Sequence, residues 1–167
     1  MRLTVHDGRD QVPHRQSTLI SYLVNDHIAI DAGALGIIQP LSIQQQVRHV
    51  FLSHSHADHT ATLPLFVDNV FAPGPDCVKI YANQPTIDDM TAHIFNDRLW
   101  PDVARLAKAE SPFLEFIPIS ADQTIEVEGV RVTPFDVDHV LPTLGFLLED
   151  DRSAVAMVAD TGATADC

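Results

Sequence analysis

Residues 51–60 read FLSHSHADHT, with His54, His56, Asp58 and His59 crowded directly behind an apolar run. Imidazole and carboxylate groups packed so closely are ligands for a divalent cation. In an extended segment, residues two apart face the same way. His54 and His56 can therefore converge on one point at the end of a strand over Val50–Leu52. Asp58 and His59 follow where the chain should turn into a helix beginning near Thr60, and a carboxylate there suits the positive end of that helix. Surface histidines beside an N-capping aspartate would not need this spacing. The cluster reads as a metal site with two adjacent pockets.

Two later segments offer further donors. AMVADTG at 156–162 places Asp160 after small and apolar residues, where a buried strand emerges. Such strand ends are where α/β proteins build their sites. Taken alone, Asp160 could equally end a strand before a Thr161-Gly162 turn. VDHVLPTLGF at 137–146 supplies His139, which Asp138 beside it could simply pair with.

The elements that must position these groups are mostly strands. Runs rich in β-branched and aromatic residues predict strands at Leu3–Val5, Thr18–Val24, Ile28–Ile30, Val50–Leu52, Val78–Ala82, Leu114–Ile119, Thr124–Val127, Val130–Phe135, Leu144–Leu148 and Ala154–Val158. Glu128-Gly129 and Glu149-Asp150-Asp151 read as hairpin turns. Helices are expected over Gln39–Val47, over Thr60–Val70 and from Pro85 onward, with Ile87, Met90, Ile94 and Arg98 at helical spacing and a break at Pro101 before a shorter helix. Most strand pairs look antiparallel, which suggests a layered α/β domain.

Composition narrows the function classes. The 167 residues have the length of one domain, 46 % are hydrophobic, and the net charge is −13. So acidic a balance argues against a surface built to bind long nucleic acid, which normally needs a basic stripe. No apolar run approaches the ~20 residues of a membrane helix, and no secretory signal opens the chain. Cys77 and Cys167 are the only cysteines, which fits a reducing cytoplasm. Nucleotide-binding glycine loops and a serine nucleophile elbow are absent. The oligomeric state is not fixed, and a homo-oligomer is compatible with everything above.

HSHADH resembles the signature of the metallo-β-lactamase superfamily, whose fold is an αββα sandwich with metals at one edge. IAIDAG at 28–33 resembles the strand that precedes this motif, which implies a supporting role for Asp31. The segments around His139 and Asp160 resemble those bearing the third metal histidine and the bridging carboxylate. HTATLPLFVDNVF at 59–71 and AHIFNDRLWPD at 92–102 resemble class II 3′,5′-cyclic nucleotide phosphodiesterases. That likeness runs from about Leu3 to Gly162 and makes His93 and Asn96 candidates for substrate contact, with Trp100 expected to pack.

The resemblance implies two divalent ions, zinc first and manganese or iron as alternatives. His54, His56 and His139 would hold one. Asp58, His59 and a histidine beyond Cys167 would hold the other, with Asp160 bridging; His6, His14, His27 and His49 precede the motif and do not stand in. The implied reaction opens a cyclic phosphodiester at its 3′ oxygen to give a 5′-nucleotide, with Asp58 and Asp160 as the catalytic carboxylates. A tRNA 3′-processing type of ribonuclease, or another hydrolase of this fold, shares the ligands and is the alternative. A third reading is an inert metal-binding fragment, because a single domain over 1–167 would lack the C-terminal part of the sandwich. On its own it is then expected to self-associate and to be almost inactive.

Overall fold

Each β-branched run becomes a strand where turn residues bound it. The structure is a computed structural model that describes residues 1–6, 19–72, 74, 77–106 and 112–162. Six strands form the first sheet in sequence order: β1 (Leu3–His6), β2 (Ser21–Val24), β3 (Ile28–Ile30), β4 (His49–Phe51), β5 (Val78–Ala82) and β6 (Leu114–Pro118). Four form the second, ordered β10-β9-β8-β7: β7 (Ile125–Val127), β8 (Val130–Val137), β9 (Thr143–Glu149) and β10 (Ala154–Met157). The expected strands are all present, with ends moved by up to three residues. Thr18, at the start of one expectation, lies outside the described residues, as do His14 and Cys167.

Among the described strands most pairs are antiparallel, as expected, but one block of the first sheet is not. β3, β4, β5 and β6 pair in parallel. The reason is their connections, each of which carries helix: α1 (Leu41–Gln44), then α2 (Ala57–Thr60) with α3 (Leu63–Asn69), then α4 (Gln84–His93) with α5 (Val103–Leu106). A helical crossover returns the chain in the same direction. Antiparallel pairing is confined to β1-β2-β3 and the second sheet. There, tight turns join β2 to β3 through Asn25-Asp26 and β7 to β8 through Glu128-Gly129, all four at positive φ.

Alternation along the parallel strands divides the core. Ala29, Val50, Leu52, Ile80 and Ala82 face the helices and pack with Leu63, Phe66, Ile87, Met90 and Val103. Ile28, Ile30, Phe51 and Tyr81 face the other way, onto Val130, Val132, Leu144, Phe146 and Leu148 of the second sheet. Phe51 is fully buried, stacked on Tyr81 at 4.4 Å and edge-on to Phe146 at 5.8 Å. Helix, sheet and sheet of the expected sandwich are therefore present. The apolar residues that α3, α4 and α5 bury all join the first cluster, and among the described residues none of these helices covers the outer face of the second sheet.

The third expected helix is shorter than its spacing suggested. α4 ends at His93, so Arg98 is not on it and Pro101 does not break it. Asn96 stops it instead, accepting the N–H groups of Arg98 and Leu99 while Asp97 sits at φ +61°. Trp100 packs against the helix-side core, as expected. No helix among the described residues is long and apolar enough to cross a membrane.

Candidate metal centre

β4 ends at Phe51, and the chain then leaves the sheet carrying the motif. His54 is fully buried and His56 half-buried. Asp58 and His59 sit in the single turn of α2, slightly earlier than expected. His139 arrives from the loop between β8 and β9, and Asp160 from beyond the end of β10.

The donor atoms meet in two groups. His54, His56, His139 and Asp160 each offer one ligand atom within 4.8 Å of the others, and Asp58, His59 and Asp160 do the same. Asp160 belongs to both. In the first group Nδ1 of His56 lies 2.9 Å from Nε2 of His54 and 3.3 Å from Nε2 of His139. Ligands at 2.0–2.1 Å around a tetrahedral ion stand ~3.3 Å apart, so the spacing fits one cation. In the second, Nε2 of His59 is 3.6 Å from Asp58 and 3.4 Å from Asp160. Nitrogen and carboxylate donors together suit zinc, manganese or iron.

Behind these donors lies a buried network. Asp31, 2 % exposed, accepts the Ser53 N–H at 2.8 Å, the Ser53 hydroxyl at 3.0 Å and Nδ1–H of His59 at 2.6 Å. Ser53 Oγ in turn stands 3.0 Å from Nδ1 of His54. With both Nδ1 atoms protonated, Nε2 of His54 and of His59 keep their lone pairs for a cation, which is how outer partners orient metal-binding imidazoles. Asp31 adopts φ +59° to reach this position, a conformation aspartate tolerates better than most residues.

Electrostatics follow from these contacts. Burial, reinforced by the neighbouring His59, pushes His54 down to about 4, so it is neutral and ready to ligate. Burial opposes the charge on His59 too, but the Asp31 hydrogen bond, with the charges of Asp31, Asp58 and Asp160, holds it above its usual value. Tyr22 is raised by burial and then by Asp31 and Asp160. It lines a cavity of about 340 Å³ beside Asp160, together with Ser53, His59, Phe146 and Met157.

Backbone contacts lock the motif onto Asp31. Ala32 N–H donates to His59 O at 2.7 Å, Thr62 N–H to Ala32 O at 3.1 Å, and Ile20 N–H to Asp58 O at 3.3 Å. Gly33 lies under this clasp, where a Cβ would stand 1.8 Å from Asp58 O. Gly162 N–H, donating to Asp138 O at 2.7 Å, ties the Asp160 segment to the His139 loop.

The candidate donors thus gather into two groups that share Asp160, with Asp31 behind them. His93 and Asn96 lie in neither group, and His6, His27 and His49 do not join them. Ser53 and Gly33 were not expected. A hydroxyl at the end of an apolar strand, and a glycine two residues after Asp31, were their only signals.

The family model for the beta-lactamase superfamily domain matches residues 24–166. Chloroplastic tRNase Z TRZ2 of Arabidopsis thaliana is 25 % identical over 108 residues, 64 % of this chain and 28 % of that protein. Ribonuclease J 2 of Streptococcus pyogenes is 22 % identical over 142 residues, 84 % of this chain and 23 % of its own length. The metallo-beta-lactamase fold protein YhfI of Bacillus subtilis superposes with a TM-score of 0.66 at 17 % identity, covering 98 % of this chain and 64 % of YhfI. Yeast PDE1 superposes at 0.59 and 21 % identity, covering 75 % and 38 %. The chain spans under a third of each curated relative. With a matching family model over most of its length, and the same fold in both superposed structures, the chain belongs to the beta-lactamase superfamily and has the metallo-β-lactamase fold.

Proposed function

We propose that this chain carries most of a dinuclear metal centre of a hydrolase, and that the complete protein opens 3′,5′-cyclic nucleotides to 5′-nucleotides. The observation that carries the reading is Asp160, whose carboxylate belongs to both donor groups. A shared carboxylate keeps two cations close, and a close pair can clamp the attacking and leaving oxygens of an in-line displacement at phosphorus. When bound, such ions supply Lewis acidity and acidify water. The protein's own groups prepare the site. Asp31 and Ser53 keep the Nδ1 protons of His59 and His54, so that both rings present Nε2. Zinc is the first expectation for both ions.

The substrate class rests on the 59–71 and 92–102 segments and on the charge of −13, which suits a small cyclic nucleotide better than a long RNA. His93 supports the same reading. It is exposed and lies one turn beyond Asp89 on α4, whose side chain touches the motif at Ser55. We assign His93 a substrate contact. Asn96 is occupied in its own turn, with its amide donating to Ala92 O, so it would act by shaping the loop beyond His93. A cytoplasmic setting is part of the proposal.

Ribonuclease activity is the second reading, favoured by the names of both curated relatives. Full-length protein loaded with zinc should be assayed on cyclic AMP, on cyclic GMP and on a tRNA precursor. Cyclic nucleotide turnover that falls about 100-fold or more in Asp160→Asn is expected, since the substitution disturbs both cations. Cleavage of the precursor alone would replace the cyclic nucleotide reading with the ribonuclease one.

A further inference from the structure

The three histidines of the first pocket come from two loops far apart in sequence, His54 and His56 after β4 and His139 after β8. One helix touches both loops. At the N-terminus of α4, Asn83 caps the helix by accepting Thr86 N–H at 2.9 Å. Its Nδ2 donates in the other direction, to Pro142 O at 2.8 Å, at the end of the loop that carries His139. Farther along α4, Asp89 accepts the Ser55 hydroxyl at 2.6 Å, and Ser55 is the residue between His54 and His56. Thr86, Ile87 and Met90 bury the inner face of the helix, so these two contacts spring from an anchored support. Asp58 and His59 are held differently, by the clasp around Asp31, Ala32 and Ile20.

We infer that α4 is a strut for the three-histidine pocket alone, with Asn83 and Asp89 as its positioning residues. The inference rests on the reading of His54, His56 and His139 as metal ligands. A ring nitrogen must stand within a few tenths of an ångström of its place for a cation to bind well, and outer partners that hold ligands are each worth about 10- to 100-fold in affinity. The two contacts also act together. Asp89 sets the exit angle of the His54–His56 segment, and Asn83 sets how closely the His139 loop approaches it.

The chemistry of each residue separates positioning from helix stability. Asn83→Asp keeps an acceptor for Thr86 N–H, so the cap survives, but a carboxylate cannot donate to Pro142 O. Asp89→Ala removes the acceptor for Ser55, whereas Asp89→Asn retains one.

Cobalt(II) titration of the full-length protein, followed by visible absorption, tests the strut without any substrate. In an Asp58→Ala background only the three-histidine pocket keeps its full donor set. There Asn83→Asp and Asp89→Ala should each weaken cobalt(II) binding about 10-fold or more. Asp89→Asn should restore most of the affinity. In a His139→Ala background, cobalt(II) held by Asp58, His59 and Asp160 should bind equally with or without the α4 substitutions. Wild-type affinity in both Asn83→Asp and Asp89→Ala overturns the strut, as does equal weakening of the two pockets. If Asn83→Asp does not fold, the Asp89→Ala and Asp89→Asn pair decides, since equal affinities in these two overturn it. No cobalt(II) binding in the Asp58→Ala background overturns the ligand reading and the strut with it. Missing cyclic nucleotide turnover bears only on the substrate.

Discussion

Asp31 Oδ2 stands 2.6 Å from Nδ1 of His59 with both side chains almost fully buried. The contact joins the strand before the metal motif to the turn that ends it. It fixes which nitrogen of His59 carries the proton and so which one is left with a lone pair for a cation.

Asp31→Ala should therefore damage both the metal site and the fold. It leaves the Ser53 N–H and the His59 Nδ1–H buried without their acceptor, at about 1–3 kcal/mol each. Zinc affinity should fall about 10- to 100-fold, with a lower unfolding midpoint. Competition against a chromophoric chelator and a denaturant titration measure the two effects. Unchanged zinc affinity would show that His59 does not depend on Asp31.

Gly33→Ala should be severe for a steric reason. The added Cβ would stand 1.8 Å from Asp58 O and 2.8 Å from Ile20 N, both backbone atoms that cannot step aside singly. Overpacking typically costs about 1–3 kcal/mol, and a backbone clash this close belongs at the upper end. Equilibrium denaturation should show that loss, and zinc binding should weaken because the clash lands on the Asp58 turn. Wild-type stability would mean that the clasp is looser than these distances state.

Much of this was legible in the sequence, and the parts that were not share a cause. The donor cluster was visible because HSHADH concentrates its imidazoles and carboxylate locally. The strands were visible because most are short runs rich in β-branched and aromatic residues. Parallel pairing of β3 to β6 was hidden, since a buried strand reads the same whichever way its neighbour runs. The end of α4 was hidden because Asn96 and Asp97 stop the helix through side-chain capping and a positive φ, not through the proline farther on. Gly33, Ser53, Asn83 and Asp89 went unseen because each acts on a residue distant in sequence.

His49 should make stability depend on pH. Burial, opposed by Glu128 and aided by Lys79, His27 and Arg48, lowers it from the usual 6.5. The unfolded chain therefore takes up the proton first as pH falls. The contribution of His49 is complete above about 6.5 and is lost between that value and its lower folded value. His49→Gln removes the titrating group from beside the Tyr81 hydroxyl, 3.1 Å from Nδ1. Between about pH 7.5 and about pH 5.5, the wild type should lose more unfolding free energy than His49→Gln in denaturant titrations. Parallel losses would show that His49 keeps the same affinity for protons in both states.

The shared position of Asp160 is tested most directly by anomalous diffraction from crystals of the protein grown with zinc. Two peaks about 3.5–4 Å apart are expected, one against His54, His56 and His139, the other against Asp58 and His59, with the Asp160 carboxylate between them. A single peak that leaves Asp160 untouched, or zinc bound away from His54 and His59, would contradict the dinuclear centre.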